Sequence, residues 1–422
     1  MKKFFNFLIL GLAVMGMNAC NDDGQSIVLK DYVASVTILN KESGEVKIDN
    51  FIYQVDMELV EEQDRSDVRI RLELAEGATM VSPREAEAVY NLQSAATFSI
   101  AADGKTLTYK ITASEIEEPA GTPYKGWAQC LNFGDLPSGI RVYKSPAQLQ
   151  GKNAVAYIAV AKTSKGRTFD VIPSGTRVGT DLRSTQISGA KTPAQFYSDG
   201  NYPVIVNGGF FYFYTYFYNL SLIWRAGAMV FTTSLDVYID GSSTPYYPTR
   251  GIFGHITGMT YQTDWAFTMW DGKTYAYPAP APNPAIYGGS ISPTYPPGGR
   301  EYAAQTAIGG GPVLIKGGEL ATATMMEDEM TASNLYPNNP RTAIGYTNDR
   351  KLILFACEGR DKTPDTPGFT LTEMANILKD LGCVEALNLD GGGSSCMLVN
   401  GQETIKPSEG SQRAVTSAVI LK

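Results

Sequence analysis

The stretch Asn388–Gly401 reads NLDGGGSSCMLVNG: a strand-like apolar run ends in an aspartate, then spends three consecutive glycines before two serines. Glycine serves where φ must be positive or where another group must approach the backbone closely, and it carries an entropic cost on folding. Three in a row beside a carboxylate and two hydroxyls are therefore expected to admit a ligand. The preceding residues place this stretch in a fold. Thr370–Gly382 reads TLTEMANILKDLG, in which Thr370 and Glu373 form a capping box, Leu371, Met374, Ala375, Leu378 and Leu381 share one face, and Gly382 supplies the stop. KLILFACE precedes this helix and VEALNLD follows it, so strand, helix and strand come in order. If the two strands are parallel neighbours, Glu358 and Asp390 lie together at carboxyl ends, where open α/β sheets bind ligands.

With 422 residues, 43% hydrophobic and 18% charged, the chain has room for two or three cores. A net charge of -8 argues against a nucleic-acid surface. An aromatic share of 11%, with 42 glycines and 23 prolines, points to short strands joined by many turns. Residues 1–20, MKKFFNFLILGLAVMGMNAC, combine a basic start, a short apolar run and a small residue before Cys20. This is an export signal resembling the bacterial lipoprotein type, with Cys20 as the lipidated residue, an ordinary secretory peptide being the alternative. The expected location is outside the cytoplasm, lipid-anchored to the bacterial cell envelope. Later segments fall short of the ~20 apolar residues of a membrane helix.

Residues 28–118 alternate apolar and polar in runs such as DVRIRLEL and TLTYKIT, and Asp103-Gly104 marks a hairpin turn. They are expected to form a small all-β sandwich, similar to the immunoglobulin-like modules at the front of exported lipoproteins. EIEEPAGTPYKG then reads as a linker, set at 119–126. Residues 127–422 read as an α+β domain with a mixed sheet and few helices. Within it, Ala276–Arg300 holds seven prolines and is expected to be a long surface loop. The run FFYFYTYFYNLSLIW, Phe210–Trp224, reads mostly as core, since alternating aromatics more often pack inward.

Several chemistries are disfavoured. His255 is the one histidine, so no multi-histidine metal site can be built, and no G-x-S-x-G elbow surrounds Ser394 or Ser395. Asp236, Asp240, Asp264 and Asp271 lack EF-hand spacing, and neither a metal nor another cofactor is expected. Cys130, Cys357, Cys383 and Cys396 permit two disulfides but show no CxxC, and free buried thiols are as plausible.

Four segments carry chemistry: NGGFF (Asn207–Phe211), RTAIG (Arg341–Gly345), CEGRD (Cys357–Asp361) and NLDGGGSS (Asn388–Ser395). In this order and near these spacings they resemble the phosphodiester glycosidase family, over about 127–422 and most specifically from Pro340 to Gly401. The resemblance implies a hydrolase acting on a glycan or sugar-phosphate substrate, with cleavage at a sugar-phosphate bond. The residues make physical sense of it. Arg341 and Arg360 could hold phosphate in fork geometry, with Thr342 beside them. Backbone amides of Gly391, Gly392 and Gly393 could form an anion nest, to which Ser394 and Ser395 add hydroxyls. Asp390 is the first choice for the carboxylate that attacks the anomeric carbon or activates water, and Glu358, where the family usually has aspartate, is the second. Asn207, with Gly208 and Gly209, is expected to meet sugar hydroxyls, and Phe210 to pack beside the pocket. A non-catalytic glycan-binding lipoprotein and a metal-assisted phosphodiesterase breaking P–O are the competing readings.

Overall fold

Thr370 caps the helix Leu371–Asp380 as its composition demands: its hydroxyl accepts the Glu373 amide, and the Glu373 side chain accepts the Thr370 amide in return. The apolar face, with Leu371, Met374, Ala375 and Leu378, is buried, and the chain leaves through Gly382 at φ 89°. The computed structural model describes residues 19–20, 26–27, 30–41, 43–60, 64–116, 124–233, 237–238, 245–246, 248–256, 260–282, 290–330 and 335–422. The export segment, apart from Ala19 and Cys20, lies outside the described residues, as do residues 117–123 of the linker stretch and the central part, 283–289, of the proline-rich loop.

The chain divides into two compact units, residues 1–120 and 121–422. In the first, a sheet ordered Ser43–Asp49, Gln54–Val60, Lys105–Ile116, Ala96–Ala102, Thr79–Ser82 faces a three-stranded sheet of Val33–Ile38, Val68–Leu74 and Glu87–Tyr90. Val55, Phe98 and Tyr109 of one sheet and Val68, Ile70 and Leu72 of the other share a single core. The parallel pairing of Gln54–Val60 with Lys105–Ile116 makes the larger sheet mixed. Asp103 and Gly104 turn the expected hairpin with positive φ at both positions.

The second unit is mostly sheet with few helices. Its elements that matter below are β1 (Ala156–Lys162), β2 (Val204–Asn207), β3 (Arg250–Ile256), β4 (Thr260–Thr268), β5 (Val313–Lys316), β6 (Arg341–Thr347), β7 (Lys351–Cys357), helix α1 (Leu371–Asp380), β8 (Cys383–Asn388), β9 (Met397–Val399) and β10 (Ser417–Leu421). One sheet runs Ala128–Gln129, Ile140–Lys144, β1, β7, β6, β8, β5, Glu319–Leu320; a second runs Phe169–Pro173, β10, β2, β9, Gln402–Glu403; a third is centred on β3 and β4. The pairs in these three sheets are antiparallel.

Strand parity sorts the side chains. Along β7, Leu352, Leu354 and Ala356 enter the core where the sheets meet, while Ile353, Phe355 and Cys357 enter the layer under α1. Both faces are covered, so the strand reads as a continuous apolar run. Each fully buried large side chain of this kind contributes roughly 1.5–3 kcal/mol. The expectation for β7 and β8 needs one correction. They are parallel to each other but not neighbours, because β6 lies between them, antiparallel to both. Their carboxyl ends still share one edge, and Arg341, the first residue of β6, starts there.

Candidate active site

The Asp390 loop is anchored by buried amide chemistry rather than by the glycines. Asn207, at the end of β2 and wholly buried, donates to the Asp390 carbonyl at 2.7 Å and to the Gly208 carbonyl at 3.2 Å. Its Oδ1 accepts the Thr342 hydroxyl at 2.8 Å and the Cys396 amide at 3.2 Å. Every donor and acceptor of that carboxamide is thus committed inside the protein, which corrects the expectation that Asn207 and Thr342 meet substrate. Gly208 and Gly209 are also buried: Gly208 packs on Ser417, whose carbonyl takes its amide, and Gly209 packs on Ser221 and Gly309. Phe210 is half-buried, with its amide on Ser221 Oγ and its ring beside Gly311.

Arg341 is a second correction. Thr342 lies on the face of β6 that meets the second sheet, so Arg341 points the other way, toward α1. There Nε donates to the Phe369 carbonyl at 2.8 Å and Nη2 to the Pro337 carbonyl at 2.7 Å. Only 5% of the residue is exposed, and burial, with the nearby Arg360 charge, lowers its pKa to about 10. Its guanidinium is built into the structure. Arg360 behaves differently: it is exposed, with Nε donating to Asn339 Oδ1 at 3.2 Å.

The three glycines have a specific answer. Gly392 sits at φ 60°, and the Arg360 guanidinium lies 2.8 Å from where its Cβ would stand; at Gly393 that space is filled by Arg413 and Glu409. The loop is stripped of side chains so that two guanidinium groups can lie on it. An open amide nest is not what forms, because the Gly391 amide bonds the Asp390 carboxylate and the Gly392 amide donates to the Pro340 carbonyl at 2.9 Å. Ser394 is buried and bridges the two charges: it hydrogen-bonds the Asp390 carboxylate and accepts Arg413 Nη1 at 3.3 Å. Arg413 in turn forms a two-point pair with Glu409, Nε to Oε2 at 3.0 Å and Nη2 to Oε1.

Asp390 keeps partial solvent contact, yet burial of its carboxyl pushes the pKa up to about 6, against the lowering pull of Ser394, Arg413 and the Gly391 amide. Such a value suits a group that exchanges protons near neutrality. Arg413 and Glu409 were not among the residues expected from the sequence. Their signal was the SEGSQR stretch, Ser408–Arg413, with opposite charges four apart among small residues.

Ser395 is also buried, its Oγ has no partner among the described residues, and it does not join this network. Glu358, at the end of β7, is buried; Oε1 accepts the Lys406 amide at 2.9 Å and Oε2 has no partner among the described residues. The charges that bear on Asp390 are those of Arg413 and Glu409, not Glu358. Cys130, Cys357, Cys383 and Cys396 are free thiols, and burial pushes those of Cys357 and Cys396 up to about 12. Among the described residues no group of three or more His, Cys, Asp or Glu side chains could hold a metal ion.

The aromatic run corrects another expectation. Phe211–Phe213 and Phe217–Asn219 form a projecting hairpin on which Tyr212, Phe213, Tyr214 and Tyr216 are exposed, Tyr214 to 77%. Phe213 stacks on Phe217 with ring centroids 4.6 Å apart. The hairpin begins two residues after Gly209.

Residues 251–422 match the family described as phosphodiester glycosidase. Two relatives are similar to this chain over shorter spans. The mouse N-acetylglucosamine-1-phosphodiester alpha-N-acetylglucosaminidase is 41% identical over 69 residues, 16% of this chain and 13% of that protein. The SPbeta prophage-derived uncharacterized protein YomE of Bacillus subtilis (strain 168) is 33% identical over 108 residues, 26% of this chain and 16% of that protein. The chain therefore spans about a sixth or less of these relatives. Among solved structures, the zebrafish N-acetylglucosamine-1-phosphodiester alpha-N-acetylglucosaminidase catalytic domain aligns with TM-score 0.42 and 20% identity, covering 67% of this chain and 82% of that one.

Proposed function

We propose that this chain is a hydrolase that cleaves a sugar-1-phosphodiester at the bond between the anomeric carbon and oxygen, with an N-acetylglucosamine-1-phosphodiester as the first substrate to test. The observation that carries this reading is the linked series Asp390, Ser394, Arg413, Glu409 on a loop cleared for guanidinium groups. A phosphate monoester is already a good leaving group, so cations that offset its charge can replace much of the work of a general acid. Arg413 and Arg360 supply that charge in fork geometry. Ionised Asp390 then attacks the anomeric carbon or takes a proton from water. In the resting protein Glu409 occupies the Arg413 fork, and substrate phosphate displaces it. The exposed rings of the Tyr212–Tyr216 hairpin offer apolar faces on which further sugars of a glycan chain can stack.

The assay is release of free sugar from UDP-N-acetylglucosamine or methyl N-acetylglucosamine phosphate in oxygen-18 water. Label is expected in the sugar; label in phosphate would mean P–O cleavage and overturn the bond assignment. No product over long incubation, with saturable binding retained, would instead favour a binding protein.

We further propose that the chain acts at the bacterial envelope, tethered through a lipid on Cys20, on the strength of the residue 1–20 pattern. Labelled palmitate should enter the native chain and not Cys20→Ser; equal labelling of both rejects the anchor.

A further inference from the structure

At the far end of the β6–β7 hairpin from Asp390 lies a cavity of about 690 Å³. Strands of this length span roughly 20 Å at ~3.3 Å per residue, so this is a separate place in the molecule. Its volume falls within the range of small-ligand sites. Four cations line it, Arg167, Arg225, Arg350 and Lys422, in a chain whose net charge is -8. Asp170 pairs with two of them, Arg225 at 3.3 Å and Lys422 at 2.9 Å. Arg167 and Arg350 have no acidic partner among the described residues, and Arg167 Nε is buried without a hydrogen bond. A buried donor left unpaired costs about 1–3 kcal/mol.

Aromatic residues also line it. His255 stacks on Tyr261 with ring centroids 4.5 Å apart and planes 14° from parallel, and Tyr261 packs on Tyr346 at 4.8 Å. Burial lowers the His255 pKa, so the ring is neutral at pH 7. Thr306, in the same lining, has a buried Oγ1 without a partner among the described residues. The neutral His255 ring, the guanidinium groups of Arg167 and Arg350 and the neighbouring Thr306 together describe a ligand with a ring face, an anionic group and hydroxyls.

We propose that this cavity binds a small anionic saccharide, its ring against His255 and its phosphate or carboxylate on Arg167 and Arg350. The site is independent of the reading given to Asp390.

Calorimetric titration of the full chain at low salt with glucose 6-phosphate, glucuronate, glucose and inorganic phosphate tests it. Saturable binding of glucose 6-phosphate or glucuronate is expected, whichever is tighter naming the anion. Glucose and free phosphate should each bind at least 10-fold more weakly. Arg167→Gln combined with Arg350→Gln should weaken the anionic sugar at least 10-fold with Tm retained, His255→Ala should weaken it several-fold, and Asp390→Asn should leave it unchanged. The proposal is overturned if neither anionic sugar binds, if phosphate alone binds as well as the sugar, if the double variant binds like the native chain, or if Asp390→Asn abolishes binding. Should the double variant prove unstable, Thr306→Val and His255→Ala together carry the same comparison, and unchanged affinity in that pair counts against it.

Discussion

The two ends of the β6–β7 hairpin hold arginines in opposite circumstances. At the β6 start, Arg341 is spent on backbone carbonyls, and Arg413 on Glu409 and Ser394, beside a carboxyl with a displaced pKa. At the turn end, Arg167 and Arg350 line the cavity with no acidic partner among the described residues. A crowded, mutually bonded end is suited to bond-making at one atom, whereas a roomy end with unmet donors is suited to retention of a whole molecule. Charge alone does not separate them; what each guanidinium already touches does.

The largest effect that could break this contrast is on Asp390. Asp390→Asn is expected to lower kcat about 10²–10⁴-fold, the range for loss of a positioned base, and more if the carboxylate is the nucleophile. Folding should survive. Because the folded pKa, about 6, stands above the ordinary 3.8, the native state holds the proton more tightly than the unfolded one, and this group's contribution to stability falls as pH rises from about 3.8 to 6. The variant should therefore gain stability relative to the native chain between pH 5 and 7.5, read as the difference in Tm at the two pH values. A normal kcat would remove Asp390 from the chemistry.

Next comes Arg413→Gln. It removes a charge that favours ionised Asp390, so kcat/KM should drop about 100-fold and the acid limb of its pH profile, expected near pH 6 in the native chain, should move to higher pH. An unmoved limb would uncouple the two residues. Arg341→Gln should do the reverse: a loss of about 1–3 kcal/mol in denaturant unfolding from its deserted carbonyls, with KM close to native. A tenfold rise in KM without loss of stability would return Arg341 to the substrate. The smallest effect is assigned to the hairpin, where Tyr212→Ala with Tyr214→Ala should raise KM several-fold on an oligosaccharide-bearing phosphodiester and leave the methyl phosphodiester unaffected; equal KM on both would make the rings bystanders.

Local signals predicted α1 with its Thr370–Glu373 cap, the apolar strands around it and the Asp390 loop, since capping and periodicity act over a few residues. Parity across strands did not show. Nothing in RTAIG tells which of Arg341 and Thr342 faces α1 until the second sheet is placed. Arg413 escaped notice because Ser394, through which it meets Asp390, lies about twenty residues earlier in a loop without period. The aromatic run misled for a related reason: alternation marks a strand but not whether another layer covers it, and on this hairpin none of the described residues forms a layer over Tyr212, Phe213, Tyr214 or Tyr216.

Strand β2 lies between β10 and β9, yet it precedes by more than forty residues the segment that defines the family. An expressed fragment of 251–422 would have a slot through its second sheet, with two raw edges and the carbonyl of Asp390 stripped of its amide tether. Such a fragment should aggregate or stay unfolded, while one starting at Gly121 keeps the missing plank. Shuffling pieces among relatives would have to carry Val204–Asn207 along with the tail it clasps.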